Sequence, residues 1–249
     1  TFDKSVSPAW SYSFAPADPL FPNQKLVVLY NTQTTKVNKT RVMFSDLYDN
    51  IRAGNTTLPN YPGSSSSFFA SGRLPYLVNV ETNINGVKKE INLIDLHGRA
   101  NSGTDISKYN MRKYDAEFLK DSLDAEYPNA NFMILGDYND DVDVSVISPN
   151  PSSYQKMVED TNRYNALTLG ISKAGAYSYL ASGGFLDHII ISNELTSDYV
   201  PNSVAVYDPR LDIANYVNTT SDHGPVIARF ELKKKEQTID FPSITVSET

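Results

Sequence analysis

Ile91-Asn92-Leu93-Ile94-Asp95-Leu96-His97-Gly98-Arg99-Ala100 is the stretch on which the reading of this chain turns. A short run rich in Ile and Leu, stopped by Gly, reads as a buried β-strand, and it carries a histidine to the strand's end. The same pattern recurs three times. The apolar run Phe132–Leu135 leads into Gly136-Asp137-Tyr138-Asn139-Asp140, Leu186-Asp187-His188-Ile189 opens another run, and Ser221-Asp222-His223-Gly224-Pro225 precedes the last one. All three histidines of the chain lie in these motifs. Each motif sits where a strand meets a loop, which is where residues from separate strands can converge on one rim. Carboxylates and imidazoles converging in that way suit a hard divalent cation with a general base beside it. Singly, each motif has a plainer reading: Asp and Asn favour turns, and an Asp-His pair can be a surface ion pair. Together and in this order, the plainer readings lose their force.

Outward from these motifs, further apolar runs at Leu26–Tyr30, Tyr76–Val80, Leu186–Ser192, Val204–Tyr207 and Pro225–Leu232 read as strands. Asn83-Ile84-Asn85-Gly86 predicts a hairpin turn, because Asn and Gly tolerate positive φ. A helix is predicted from about Asn110 to Tyr127. Met111, Tyr114, Phe118, Leu119 and Leu123 share one face, Arg112, Lys113, Glu117, Lys120 and Asp121 point away, and Pro128 stops it. A shorter helix is predicted at Ser153–Tyr164. Asn55–Ser71, with Gly, Pro, Asn and four consecutive Ser, reads as a long surface excursion, and Asp140–Pro151 as irregular. Many strands with few helices between them predict two packed sheets flanked by helices.

The chain's 249 residues suffice for one large domain with a sizeable core. It has no Cys, which excludes disulfide frameworks, thiolate metal sites and cysteine nucleophiles. The net charge of −7 argues against a broad electrostatic footprint for nucleic acid, so such contact would be local or metal-mediated. No apolar run is long enough to cross a membrane. No Gly-x-Ser-x-Gly elbow supports a serine hydrolase, and no His pair at i, i+4 supports a zinc hydrolase.

From Gln24 to Leu232 the chain resembles the endonuclease/exonuclease/phosphatase superfamily, the fold of deoxyribonuclease I. The resemblance rests on Gly72–Val80, Ile91–Ala100, Met133–Asp140, Phe185–Leu195 and Ser221–Phe230. It implies an α+β fold, a four-layer α/β/β/α sandwich of two mainly antiparallel sheets flanked by helices. It also implies a divalent-metal-dependent phosphoester hydrolase of nuclease or phosphodiesterase type, using Mg²⁺ or else Mn²⁺ or Ca²⁺. By the resemblance, His223 is the base or charge-stabilising group and Asp187 orients it. Asp222 reaches the metal, Asp137 and Asn139 position the water and a phosphate oxygen or bind metal, and His97 hydrogen-bonds the scissile phosphate, a role as acid toward the leaving group staying open. Arg99 and Arg73 are candidates for phosphate contacts. His188, beside Asp187 on a strand, points to the opposite face and reads as structural.

Family members begin with a strand ending in a metal-site Asn, then a helix, then a strand ending in a metal-ligand Glu. Thr1–Asn23 supplies neither in recognisable form. The expectation is therefore a domain over residues 1–232 that lacks its N-terminal strands, with the missing part supplied upstream or by another chain. Residues 233–249 read as a linker toward a further module. Two alternatives stay open: a phosphatase or phospholipase-like enzyme of a small phosphorylated or lipid substrate, and a catalytically impaired fragment or binding module retaining the fold. Freedom from Cys and richness in Asn, Ser, Thr and Tyr suggest a secreted, cell-surface or periplasmic multi-domain protein.

Overall fold

Alternation of side chains along extended backbone organises the structure, a computed structural model that describes residues 1–8 and 25–234. In chain order the strands are β1 (Phe2–Val6), β2 (Val27–Asn31), β3 (Thr35–Val42), β4 (Tyr76–Ile84), β5 (Val87–His97), β6 (Phe132–Asp137), β7 (Tyr164–Ala166), β8 (Asp187–Ser192), β9 (Ala205–Val206) and β10 (Val226–Ile227). The helices are α1 (Ser45–Arg52), α2 (Phe68–Gly72), α3 (Ile106–Glu126), α4 (Gln155–Glu159), α5 (Leu169–Lys173) and α6 (Tyr216–Thr219). Six strands form one sheet in the order β3-β4-β5-β6-β8-β7. All its neighbours run antiparallel except β5 and β6, which are parallel and joined through α3. That parallel pair matters, because its two C-terminal ends finish side by side.

The two faces of this sheet are covered differently. Leu77, Ile94, Leu96, Phe132, Ile134 and Ile190 pack with Leu119 and Leu123 of α3 and Tyr48 and Ile51 of α1. On the other face, Tyr76, Val78, Val80, Ile91, Ile189 and Ile191 pack with Leu26 and Val204, joined by Val28, Val226 and Phe230. Neighbouring positions such as Leu77 and Val78 thus serve opposite cores, as period-2 geometry requires. Opposite the large sheet, the described residues hold two antiparallel pairs, β1 with β2 and β9 with β10. Layers of helix, sheet and strand pairs match the mixed α+β architecture expected of the deoxyribonuclease I-like fold.

The predicted turn is present, with Asn85 at φ 52 and Gly86 at φ 79, and Ile84 pairs Val87 across it. The long helix begins earlier than predicted, where the Asp105 side chain accepts from the Ser107 N–H. Two readings change. Arg112, assigned to the solvent face, is 1% exposed. Asn55–Ser71 is exposed or half-buried over most of its length but sends Leu58, Tyr61, Phe68 and Phe69 into the core, where Phe68 meets Phe118 at 5.2 Å between ring centroids. β1 and β3 carry too few apolar residues to signal a strand; edge pairing, not burial, makes them extended. Residues 9–24 and 235–249, on which the reading of an incomplete N-terminus and most of the linker fall, lie outside the described residues.

Candidate active site

Strand register assembles the site. His97 pairs Asp137 at the end of the parallel ladder, and Asp137 pairs Asp187 across β6 and β8. All three are in step with residues of the second core: Leu93 with His97, Leu135 with Asp137, and Ile189 with Asp187. They therefore form one row across three adjacent strands. Between them Gly136 lets β5 and β6 approach closely. Its φ is +127°, and a Cβ there would lie 2.1 Å from the Leu96 carbonyl oxygen.

His223 reaches this row from the chain that follows α6. Its Nδ1 lies 2.6 Å from Asp187 Oδ2. The carboxylate requires the proton on Nδ1, which leaves Nε2 as the basic nitrogen. The hydrogen bond to Asp187 raises the His223 pKa. Burial opposes it, and the charges of Asp187, Asp137 and Asp222 add to the rise. Ser178, fully buried, donates to Asp187 Oδ2 at 2.6 Å and accepts from the Leu186 and Asp187 N–H groups. Backbone bonds stitch the loop in place, Leu180 N–H to the Asp222 carbonyl and Gly224 N–H to the Ser178 carbonyl, both 2.8 Å. The Tyr216 hydroxyl donates to the His223 carbonyl at 3.2 Å.

On the other side of the row, His97 Nε2 lies 3.2 Å from Asp137 Oδ2. Burial pushes the Asp137 pKa up, but bonding and charge from His97, the Asn139 N–H and the His223 charge bring it below the ordinary carboxylate value. Asn139, at φ 53, donates its N–H to Asp137 Oδ1 and its side-chain NH₂ to Asp137 Oδ2 and the Gly98 carbonyl. Asp137, Asn139, Asp187, His97 and His223 are thus brought together. Asp222 is exposed beside His223 and lines the same cavity as Asn139. Arg73 donates to the Gly98 carbonyl at 3.2 Å; burial lowers its pKa to about 10, while the charge of Asp137 supports it. Arg99 turns elsewhere, bonding the Ser67 carbonyl near Tyr61 and Asp115 on the helical side. His188 is buried between Thr168 Oγ1 and the Phe185 carbonyl, and burial lowers its pKa to about 4.

Ser178, Tyr216 and Arg112 carry no local signal in the sequence; Ser178 and Tyr216 reach Asp187 and His223 across short loops, and Arg112 reaches Ser153, 41 residues on. Two cavities flank His223. One, of about 460 Å³, has Leu135, Ile189, Tyr216 and Ser221 in its wall. The other, of about 400 Å³, has Asn101, Asn139, Tyr179, Ser182 and Asp222. Asp137, Asp222 and the Asn139 amide are hard oxygen donors of the kind Mg²⁺ takes. They do not amount to a closed set: among the described residues no three His, Asp or Glu side chains are placed to hold one ion.

A sequence profile of the endonuclease/exonuclease/phosphatase family matches residues 79–215, more than half of the chain. No protein with a curated description matches. Among solved structures, the catalytic domain of Xenopus laevis APE2 aligns with TM-score 0.60 at 14% identity, over 92% of this chain and 76% of that one. A conserved protein of unknown function from Enterococcus faecalis V583 aligns with TM-score 0.56 at 12% identity, over 94% and 78%. The human Nocturnin catalytic domain with bound sulfate aligns with TM-score 0.54 at 14% identity, over 92% and 72%. At these identities the structural likeness shows the fold alone.

Proposed function

This chain belongs to the endonuclease/exonuclease/phosphatase family, and from that premise we propose that it hydrolyses a phosphodiester by attack of water in line with the leaving group. Members of the family are metal-dependent hydrolases of phosphoesters. The observation that carries the reading is the Asp187–His223 pair, 2.6 Å apart, in one row with Asp137 and His97. His223 Nε2 takes the proton from water while Asp187 steadies the imidazolium that forms. Asp187 is itself held by Ser178. His97 bonds a phosphoryl oxygen, Asn139 lines one of the two cavities, and Arg73 stands behind them on the Gly98 carbonyl, within the field of Asp137. Arg99, committed to the helical side, is given no substrate contact. A divalent ion, Mg²⁺ or else Mn²⁺ or Ca²⁺, would polarise the phosphoryl oxygens when bound. From this chain Asp222, Asp137 and Asn139 are its available donors, and no step is assigned to it because they form no closed set.

A second reading, a phosphatase of a small phosphorylated substrate, is favoured by the cavity walls. Neither wall includes a Lys or Arg among the described residues to track a polyanion, and neutral Asn101, Asn139, Tyr179 and Ser182 supply polar groups in one. Among the described residues no helix is long and apolar enough to cross a membrane. The test is turnover of bis-p-nitrophenyl phosphate and p-nitrophenyl phosphate with Mg²⁺ or Mn²⁺. Turnover that needs the metal and vanishes in His223→Ala supports hydrolysis, and preference for the monoester selects the second reading. No turnover of either ester by the intact chain would overturn both, in favour of a binding module that retains the fold.

A further inference from the structure

Among the described residues Arg112 is the largest fully buried side chain, and a buried guanidinium is expensive unless its donors are used. Its Nε donates to Ser153 Oγ at 2.9 Å, and its Nη2 lies 3.2 Å from Asp140 Oδ2. Its Nη1 donates to the Arg99 carbonyl at 2.9 Å and to Asn101 Oδ1 at 2.7 Å. Asp140, 0% exposed, also receives Ser145 Oγ and the N–H groups of Val146 and Ser153. One α3 side chain thereby grips both turns that carry site residues, 98–101 after His97 and 138–140 after Asp137.

Asn101 completes the connection. Its Nδ2 donates to the Asn139 carbonyl at 2.8 Å. The orientation of this amide follows from its partners: a guanidinium only donates and a carbonyl only accepts, so oxygen faces Arg112 and nitrogen faces Asn139. Asn139 stands at φ 53°, in the left-handed region that Asn enters more readily than other non-glycine residues, and the bond from Asn101 fixes its carbonyl there. In that conformation its N–H and its side chain both meet Asp137.

We propose that Asn101 is a positioning residue, which transmits the fixed location of Arg112 to Asn139 and so holds the Asn139–Asp137 constellation ready for the substrate. Its catalytic consequence rests on the phosphoester-hydrolase reading, whereas its effect on the turn does not. Asn101→Asp keeps the acceptor for Arg112 and removes the donor to Asn139, leaving a carboxylate facing the carbonyl. Asn101→Ala removes both links but leaves Arg112 its bonds to Asp140, Ser153 and Arg99.

The experiment is amide hydrogen exchange resolved at Asn139, with thermal melting and steady-state kinetics on bis-p-nitrophenyl phosphate alongside. In both variants Asn139 exchange should accelerate roughly tenfold or more, the free-energy equivalent of one lost hydrogen bond. Exchange of Ile134 and Ile190 should accelerate clearly less than that of Asn139, and the melting temperature should fall by no more than about 2–4 °C for each hydrogen bond lost. The value of kcat should fall about tenfold or more with KM little changed, as expected when a reacting constellation loses its alignment. Unchanged Asn139 exchange would overturn the proposal, as would loosening spread across the sheet, or an effect confined to KM. Should the unaltered protein show no turnover at all, the hydrolase reading fails, and exchange at Asn139 alone decides the positioning role.

Discussion

At the residue scale, the Asp187–His223 pair yields two predictions. His223→Ala should lower turnover by about 10² to 10⁴, the range general acid–base catalysis supplies, with the fold retained by circular dichroism. The second concerns protonation. His223 is held above its ordinary pKa by Asp187, so protonated His223 stabilises the fold below the unfolded-state histidine value. That contribution disappears as pH rises through the raised folded-state pKa. In Asp187→Asn the bond to a negative partner is gone, so NMR titration should find the His223 pKa lower, and the matching loss of stability with rising pH should shrink. An unmoved titration in Asp187→Asn would refute the assignment of cause. Ser178→Ala is milder in charge but leaves the Leu186 and Asp187 N–H groups without their acceptor. It should cost about 1–3 kcal/mol of stability, read from urea unfolding.

Elements set where these residues can stand. The close contact of β5 and β6 depends on Gly136, where a methyl group would collide with the Leu96 carbonyl and φ is unfavourable for any L side chain. Gly136→Ala should destabilise by more than about 1 kcal/mol and disturb the His97–Asp137 contact. Gly170→Ala, in α5 with open space around its Cβ, should be neutral or mildly stabilising in the same urea titration. The α3 helix has a double allegiance: Leu119 and Leu123 seal the core under the sheet while Arg112 reaches the active-site turns. Leu119→Ala, from a position 0% exposed, should cost about 2–5 kcal/mol. Helical spacing sets Arg112 in step with Ala116, Leu119 and Leu123 on the buried face, and Lys113 in step with Glu117 and Lys120 on the other. What makes a guanidinium tolerable on that face is its partners at Arg99, Asn101, Asp140 and Ser153, none of which the helix contains.

For the whole molecule the charge balance is the relevant quantity. A net charge of −7 and cavity walls without Lys or Arg among the described residues give a polyanion little to hold. Turnover of a small ester should therefore change little between low and moderate salt, and single-stranded oligonucleotide should compete weakly. Steep inhibition by salt, on the order of tenfold or more across that range, would instead indicate several phosphate contacts.

Strand-ending motifs make the site legible in the amino-acid sequence, because period-2 alternation and turn chemistry are local properties. His97, Asp137 and Asp187 belong at strand ends by the evidence of their own neighbours, and the family resemblance links them to His223. The family itself, the hairpin at Asn85-Gly86 and the Met111–Leu123 apolar face are equally readable. Tertiary structure alone decided which polar groups are buried and whom they serve. The guanidinium of Arg112 found its acceptors at Arg99, Asn101 and Ser153, Arg99 turned away from the site, Phe68 and Phe69 were drawn into the core, and Asn101 acquired a partner 38 residues along the chain. The physical reason is that burying a polar group is tolerable only where distant segments supply its hydrogen bonds, and that supply is a property of the assembled fold.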